Sequence, residues 1–540
     1  GPDMNQTVIK DISYSSGTVQ ARMYLYASVL QMRGGHVARQ PREDKVGNVL
    51  LWNGEVFDGP VEVCLFVEEV DAGSMDQKKR KVGEVLCRME GPFAFVYYEV
   101  GEGRVWFGRD GLGRRSLVSI QPTERGSEGR APLFLASVSP GMGEEVKEVE
   151  AGHGIFYIDL NEWMNLGENE GIHLFHRPEP IMLINQAVLE EKELATADGL
   201  ERIMKSEKGP NGLLDAAYDE AIKGLYESLH KAVSRRLIGL GPVEEGRGRV
   251  AILFSGGVDC STLAVLVDRI LGKDESIDLI NVAFENPREL RAKGRTEAGA
   301  EGWAQVPDRR TGLVALENLA RLSPHREWRW VEVNVTYAEV EAERARVERL
   351  MLPSRTRMDL SIALAFWFAT RGKGNMWRVH GKEGIERQRN TAPMTDYISR
   401  ARVVILGSGA DEQLGGYSRH RDAYDRGGWT RLVDEVQLDV SRISSRNFGK
   451  DDRIIADHGK ESRLPFTDAG VMSLLASLPI HIKCDPRLGR GLGEKLVLRW
   501  MATYMLGLGE EVSGAPKRAI QFGARSAKMQ GRWERGDDPL

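Results

Sequence analysis

The stretch Val250-Ala251-Ile252-Leu253-Phe254-Ser255-Gly256-Gly257-Val258-Asp259-Cys260-Ser261 runs from an apolar β-type segment straight into a turn of small residues. A helical pattern follows from Thr262 to Leu271. Two adjacent glycines after a strand let the backbone turn sharply and aim its N–H groups at one point. Ser255 and Ser261 add hydroxyl donors, and the following helix adds its positive N-terminal end. The combination suits a pyrophosphate. Asp259 would repel a bare anion, so its presence predicts a bridging Mg2+. No lysine closes the turn, which separates it from the GxxxxGK[ST] phosphate loop. The same residues also fit an ordinary glycine-rich turn between a strand and a helix.

Outward from that stretch, strands and helices alternate. Ile277 to Phe284, Trp330 to Val335 and Val403 to Leu406 read as strands, and Ser361 to Thr370 reads as a buried helix. Such alternation predicts a doubly wound parallel sheet covered by helices. Upstream, Ala217, Ala221, Leu225, Leu229 and Val233 give a helix over 214–237 one buried face. Residues 286–306 and 372–399 are polar and read as long mobile loops. The last third, from Leu432 to about Gly507, reads as mostly helical. The first part, from about Ala21 to Leu160, is β-rich instead. Short runs such as Val61 to Val67 and Phe93 to Tyr98 are separated by Gly, Asp and Asn turns.

The chain is 540 residues long, which predicts two or three domains. Apolar residues make up 41% and charged residues 28%, a soluble globular composition. A formal charge of −5 gives no overall attraction to nucleic acid or membrane. Cys64, Cys87, Cys260 and Cys484 are widely spaced, without a CxxC pair. That argues against a zinc site and a disulfide framework, and it predicts a reducing, cytoplasmic location. No apolar run has the length of a membrane span.

The opening stretch resembles the SGGxDS loop of the ATP pyrophosphatases, which split ATP into AMP and pyrophosphate. Further motifs extend the resemblance over roughly 300 residues. Gly407-Ser408-Gly409-Ala410-Asp411-Glu412-Gln413-Leu414-Gly415-Gly416-Tyr417 resembles the GEGSDELFGGY motif of asparagine synthetases. Gly459 to Asp468 resembles their GVExRxPFLD segment, and Pro516-Lys517-Arg518-Ala519-Ile520-Gln521-Phe522-Gly523 their RPKQGF-like tail. Within that family the chain is most similar to the asparagine synthetase domain-containing subgroup. The carrying residues are Val306-Pro307-Asp308-Arg309, Gly416 to Arg421, Arg442 to Asn447 and Asp451 to His458.

The resemblance implies a site. Ser255, Gly256, Gly257, Val258, Asp259, Cys260 and Ser261 would bind ATP together with Gly407, Ser408 and Gly409, and the backbone of Val282-Ala283-Phe284 would border the adenine. Asp259 and Asp411 would hold Mg2+, and Lys517 would contact the phosphates. Asp411 also fits a helix N-cap, and Lys517 a solvated surface lysine. Glu461 and Arg463 read as a buried structural pair. Cys260, where the family has serine, reads as a small replacement and not a nucleophile. Asparagine synthetases carry a catalytic glutamate at the position of Ser408. A hydroxyl cannot act as a carboxylate base, so another group takes the role or the acceptor differs from aspartate.

The first half resembles a class II glutamine amidotransferase, an Ntn-type sandwich. Leu51 to Phe57 resembles FNGEIYN, Glu90 to Phe95 resembles DGxFAF, and Trp106 to Leu117 resembles ARDPFGxxPLY. By resemblance Asn53 and Gly54 would form the oxyanion hole, Glu90 would hold the glutamine amine, and Glu55 would complete a glutamine-like site. The family nucleophile is a cysteine after the initiator methionine, whereas Met4 is followed by Asn5-Gln6. The stretch before Met32-Arg33-Gly34 is about half the family's length, so the sandwich is expected to be incomplete at its start and not to hydrolyse glutamine. The expected division is a glutaminase-like domain over 4–165, a linker over 166–212 and a synthetase-like domain over 213–540.

The leading expectation is a ligase that adenylates a carboxylate and transfers ammonia to it, with glutamine as the other nitrogen source. An alternative acceptor is a carboxylate on a modified uridine of tRNA. Lys517, Arg518, Arg525, Lys528, Arg532, Trp533 and Arg535, with Arg378, Lys382, Arg387 and Arg389, could track its phosphates. A non-catalytic scaffold is the remaining alternative. No membrane partner is expected.

Overall fold

The computed structural model describes residues 3–13, 19–34, 36–57, 75–121, 133–139, 145–166, 171–177, 183–188, 194–204, 216–241, 248–292, 294, 299–381, 392–446 and 448–529. The chain is mixed α/β with several sheets. It separates into two compact units: Gly1–Ile181 with Ser444–Arg453, and Met182–Ile443 with Ile454–Leu540. The short segment Ser444–Arg453 thus lies inside the range expected for the synthetase-like domain but packs with the first unit.

The first unit is built on strands β1 (Met4–Ser13), β2 (Val19–Val29), β3 (Arg42–Glu43), β4 (Val49–Gly54), β5 (Phe93–Glu99), β6 (Arg104–Arg109), β7 (Val118–Gln121), β8 (Phe134–Ala136), β9 (Glu145–Glu148), β10 (Gly154–Asp159) and β11 (Ile172–His176). A six-stranded sheet runs β11-β10-β6-β5-β4-β3, and β8-β7-β9 form a second sheet. The alternation in β5 divides the core. Phe93, Phe95 and Tyr97 join Leu50, Trp106 and Val82 of the helix Met75–Arg88 on one face. Ala94 and Tyr98 join Val49, Val105 and Phe107 on the other.

The start of the chain differs from the sequence expectation. The stretch before Met32, expected to lack its first strands, forms the antiparallel hairpin β1–β2 as a separate sheet. Cross-strand partners Val8 and Leu25, and Ile12 and Ala21, lie among the residues of the second core face. The strand expected over 61–67 lies outside the described residues.

The segment Ser444–Arg453 is held in the first unit by charge. Arg115 Nη1 donates to Asp452 Oδ1 at 2.9 Å, and the Ser116 amide donates to Asp452 Oδ2 at 3.0 Å. Arg453 Nη1 donates to Ser116 Oγ at 2.8 Å and pairs with Glu148 at 3.1 Å.

The second unit contains β12 (Val250–Leu253), β13 (Ile277–Phe284), β14 (Trp328–Val335), β15 (Lys373–Val379), β16 (Met394–Ile398), β17 (Val403–Ile405) and β18 (Glu461–Arg463), in sheet order β16-β15-β14-β13-β12-β17-β18. The five strands from β14 to β18 in that order are parallel. β15 and β16 are antiparallel additions at one edge. The fully parallel sheet is therefore corrected to a mixed one, and the ends of the expected loop 372–399 are strands. Their polar composition reflects a position at the sheet margin, with β16 outermost, where Lys373, Arg378, Met394 and Ile398 are exposed. The expected loop 286–306 holds the short helices Pro287–Ala292 and Ala300–Ala304. In contrast, β13 is buried along its whole length, as its continuous apolar run requires of an inner parallel strand.

The chain leaves β12 for β13 on one side and returns to β17 on the other. Loops after β12 and β17 therefore diverge at one crevice, the switch point where open α/β sheets take ligands. Among the described residues no helix is long and apolar enough to cross a membrane.

Candidate active site

The loop after β12 is shaped by two contacts. Phe254 N donates to Ile280 O at 2.8 Å, which carries the strand one residue further. Gly256 then turns with φ +80°, and a Cβ there would lie 2.2 Å from Thr311 O. Thr311 belongs to the helix Pro307–Leu322, and its hydroxyl donates to Ser255 O at 2.6 Å. Asn281 Nδ2 bonds both Phe254 O and Asp308 O, at 2.8 and 2.9 Å, fastening the same helix to the loop.

The helix Val258–Ile270 starts in the crevice. Its N-cap is Gly257, and no side chain caps it. Its first-turn amides are thus left for an anion. Ser261 Oγ and Thr262 Oγ1 are buried without a hydrogen-bond partner. Cys260 Sγ donates to Gly257 O at 3.3 Å, and burial pushes the thiol pKa up. A protonated, occupied thiol is no nucleophile.

After β17, Gly407 passes so close to Asp259 that a Cβ would lie 2.8 Å from the aspartate Cβ. Ser408 is half-buried beside it. Gly409, with φ +96°, is the N-cap of the short helix Ala410–Gln413, so Asp411 is a residue inside that helix and not its cap. Gln413 Nε2 donates to Gly409 O and Phe466 O, both at 2.8 Å, and holds the loop against the chain following β18.

The two aspartates meet on one ammonium. Lys495 Nζ lies 2.5 Å from Asp259 Oδ2 and 2.9 Å from Asp411 Oδ1. Lys517 Nζ stands 3.7 Å from Asp411 Oδ2 and 4.2 Å from the ring centre of Tyr417. Burial opposes ionisation of Asp411, but Lys495 and Lys517 outweigh it and hold the carboxyl below its ordinary range. Burial pushes Asp259 up, with Lys495 offsetting only part of the effect and the neighbouring Asp411 charge adding to it. Burial works against the charge of Lys495, yet the two carboxylates overcome it and raise its pKa.

Lys495 escaped the sequence reading. It sits in Gly493-Glu494-Lys495, ahead of the helix Leu496–Trp500, with a left-handed φ of 58°. A lysine after a glycine-rich turn was its only signal. Arg499 was also missed. Buried in the same helix, it donates through Nη1 to Ser513 O at 2.5 Å and Ala515 O at 3.0 Å, and so fixes the chain just before Lys517.

Val282 and Ala283 lie within β13, with side chains buried. The Phe284 amide donates to Ala524 O at 2.9 Å, so the tail covers that end of the strand. Glu461 and Arg463 pair at 3.0 Å on the edge strand β18. Of the basic residues expected to track nucleic acid, Lys517 faces Asp411, Arg518 lies 3.9 Å from Asp308, and Arg525 lies 3.5 Å from Glu289. Arg378 and Lys528 are exposed. Lys382, Arg387, Arg389, Arg532, Trp533 and Arg535 lie outside the described residues.

In the first unit, β4 and β5 bring the glutamine-site-like residues to one end. Gly54 pairs with Phe93, and Asn53, exposed, with Ala94. Gly54 approaches Pro92 so closely that a Cβ would lie 1.9 Å from its carbonyl oxygen. Glu90 precedes β5, and its carboxylate lies 3.4 Å from Arg114, which also donates to Gly91 O at 2.7 Å. Glu55 pairs with Arg33 at 2.8 Å.

Comparison with known proteins places the chain among relatives. The asparagine synthase family model matches residues 424–534. Asparagine synthetase domain-containing protein 1 of Mus musculus is 35% identical, with 100% of this chain and 94% of the relative covered. An asparagine synthetase domain-containing protein of Saccharomyces cerevisiae is 31% identical, with 94% and 84% covered. Among solved structures, a glutamine phosphoribosylpyrophosphate amidotransferase from B. subtilis matches over 48% of this chain and 52% of its own at 13% identity. Its TM-score of 0.18 fixes no shared architecture. On the full-length identities, the chain belongs to the asparagine synthetase domain-containing protein 1 family.

Proposed function

We propose that the second unit is an ATP-dependent amide-forming ligase that adenylates a carboxylate and passes ammonia to it. The carrying observation is the meeting of Asp259 and Asp411 on one buried ammonium at the switch point, beside an uncapped helix N-terminus.

The residues fit a metal-bound nucleotide. Mg2+ takes one or two carboxylates and completes its shell with phosphate and water oxygens. Two aspartates therefore suffice, and Asp259 Oδ1 is buried without a hydrogen-bond partner. When bound, Mg2+ would neutralise phosphate charge at Asp259 and Asp411.

The chain's own groups do the rest. The amides of Gly257 to Cys260 and the Ser255 and Ser261 hydroxyls orient the β- and γ-phosphates. Lys517, held on the Tyr417 ring, stabilises negative charge as the α–β bond of ATP breaks. A carboxylate oxygen of the acceptor attacks the α-phosphorus, and pyrophosphate leaves. Ammonia then attacks the acyl carbon, loses a proton, and AMP departs. AMP is a far better leaving group than a carboxylate oxygen, which is why activation is needed. Ser408 leaves more room beside the reacting acyl group than the glutamate of asparagine synthetases would, and this favours an acceptor bulkier than aspartate.

The test is incubation with ATP, Mg2+, ammonia and a panel of carboxylates, with mass detection of nucleotide and amide. Acceptor-dependent AMP and pyrophosphate are the expected products. Release of ADP and phosphate would overturn the reading.

A further inference from the structure

Lys495 is placed like a bound ion. Its ammonium lies between two carboxylates at 2.5 and 2.9 Å, and its side chain is 2% exposed. Its backbone is tied on both sides, since its amide donates to Leu414 O at 3.1 Å and its carbonyl accepts from Arg499 N at 3.0 Å. The stem runs against Gly416, where a Cβ would lie 2.7 Å from Lys495 Cε. A non-glycine residue at φ 58° persists only where its surroundings enforce it. These restraints fix the backbone and the stem, so that the ammonium rests between the two carboxylates unless a competing cation displaces it, unlike a surface lysine that samples many rotamers.

The local charge count points the same way. Asp259 and Asp411 supply two negative charges, and Lys495 and Lys517 supply two positive ones. Buried Arg499 adds a positive field at both aspartates, and Glu494, which faces Arg499 more strongly than either aspartate does, offsets it. A free divalent ion approaching this group meets no net attraction. A polyphosphate on the adjacent amides changes the balance by several negative charges, and only then is a divalent ion drawn in.

We propose that Lys495 is the resident cation of the aspartate pair: it fills the place between Asp259 and Asp411 in the nucleotide-free protein, so that the chain takes up a divalent metal only together with a polyphosphate. The inference rests on the ligase reading for the identity of the polyphosphate. The order of binding it assigns, metal with nucleotide and never before it, is tested at Lys495 and does not depend on which reaction follows.

The test uses Mn2+ as the probe, counted by its free paramagnetic signal, on the full-length chain. Without nucleotide, the wild-type chain should bind Mn2+ at least about tenfold more weakly than Lys495→Met or Lys495→Gln. Adding Asp259→Asn to either variant should abolish the gain. Should a variant unfold when metal-free, Mn2+ should restore its folding, and failure to restore it counts against the proposal. Equal Mn2+ binding by the wild type and the folded variants would overturn it. A separate arm adds a non-hydrolysable ATP analogue to the wild-type chain. Failure to bind the analogue with Mn2+ would sink the ligase reading, while the nucleotide-free comparison would still decide the role of Lys495.

Discussion

Lys517 rests with its ammonium 4.2 Å from the ring centre of Tyr417. The ring is itself held, because its hydroxyl donates to Glu412 Oε1 at 2.5 Å and Arg419 lies 4.0 Å over it. Burial first, then the Glu412 and Asp411 charges, push the phenol pKa far up, so Tyr417 stays a neutral donor. A cation over an aromatic face gains roughly 0.5–2 kcal/mol, which is enough to bias where a lysine points. Tyr417→Phe keeps the face and should keep the rate of pyrophosphate release to within a few-fold. It should nevertheless lose roughly 1–3 kcal/mol of stability, because Glu412 is left without its donor. Tyr417→Leu should lose about tenfold in rate. Lys517→Ala should lose roughly 100- to 1,000-fold. Equal rates for the Phe and Leu variants, assayed where both are folded, would remove the ring from this role.

The two glycines of the phosphate-facing turn are not equivalent. Gly256 has φ +80° and no room, whereas a Cβ at Gly257 would meet only Ser255 Oγ at 3.6 Å. Gly256→Ala should cost on the order of 2–4 kcal/mol and abolish retention on immobilised ATP, since strain and a backbone clash add. Gly257→Ala should leave the melting temperature close to wild type. A Gly256→Ala chain as stable as the wild type would show that Thr311 can yield.

Much of this crevice was legible because its signals are local. The strand, diglycine turn and helix fall within a short run, and an inner parallel strand must be apolar on both faces, as β13 is. Lys495 was not legible. Its partner Asp259 is 236 residues away, and its position depends on a left-handed backbone and on Leu414, which no periodicity reports. The strands β15 and β16, at the sheet margin, were hidden for a different reason. An edge strand with an exposed face needs few apolar residues, so its composition matches that of a loop. The placement of Ser444–Arg453 in the first unit was equally silent, because Arg453 meets Ser116 across 337 residues.

Asp308 makes stability depend on pH. It is buried at the start of the helix Pro307–Leu322, with Gly523 packed against its carboxylate and Arg518 3.9 Å away. Burial raises its pKa to about 7, and Arg518 offsets only part of this. A carboxyl with a raised folded-state pKa binds its proton more tightly folded than unfolded. Its contribution is therefore fully present below the unfolded value near 3.8 and is lost as pH rises through about 7. Asp308→Asn removes this loss. The variant should be more stable than wild type at pH 8 by roughly 2–4 kcal/mol, and the gap should close as pH falls toward 4. Urea unfolding at several pH values measures it, and a gap independent of pH would refute the assignment.

The inserted segment of the first unit depends on Asp452, whose two oxygens take the Arg115 guanidinium at 2.9 Å and the Ser116 amide at 3.0 Å. Asp452 and Arg115 are both buried, with side chains 8% and 2% exposed. Deleting one member of such a pair leaves the other charged and desolvated, at a typical cost of about 3–5 kcal/mol. Asp452→Ala should destabilise by that amount, and Arg115→Met should fall in the same range. Joint replacement by apolar residues, Arg115→Met with Asp452→Leu, removes both charges together. It should cost clearly less than the two single changes added, with a coupling of roughly 1–3 kcal/mol. Denaturant unfolding of the four proteins measures the cycle. Strict additivity would mean that Asp452 holds the segment through the Ser116 amide alone, with no contribution from Arg115.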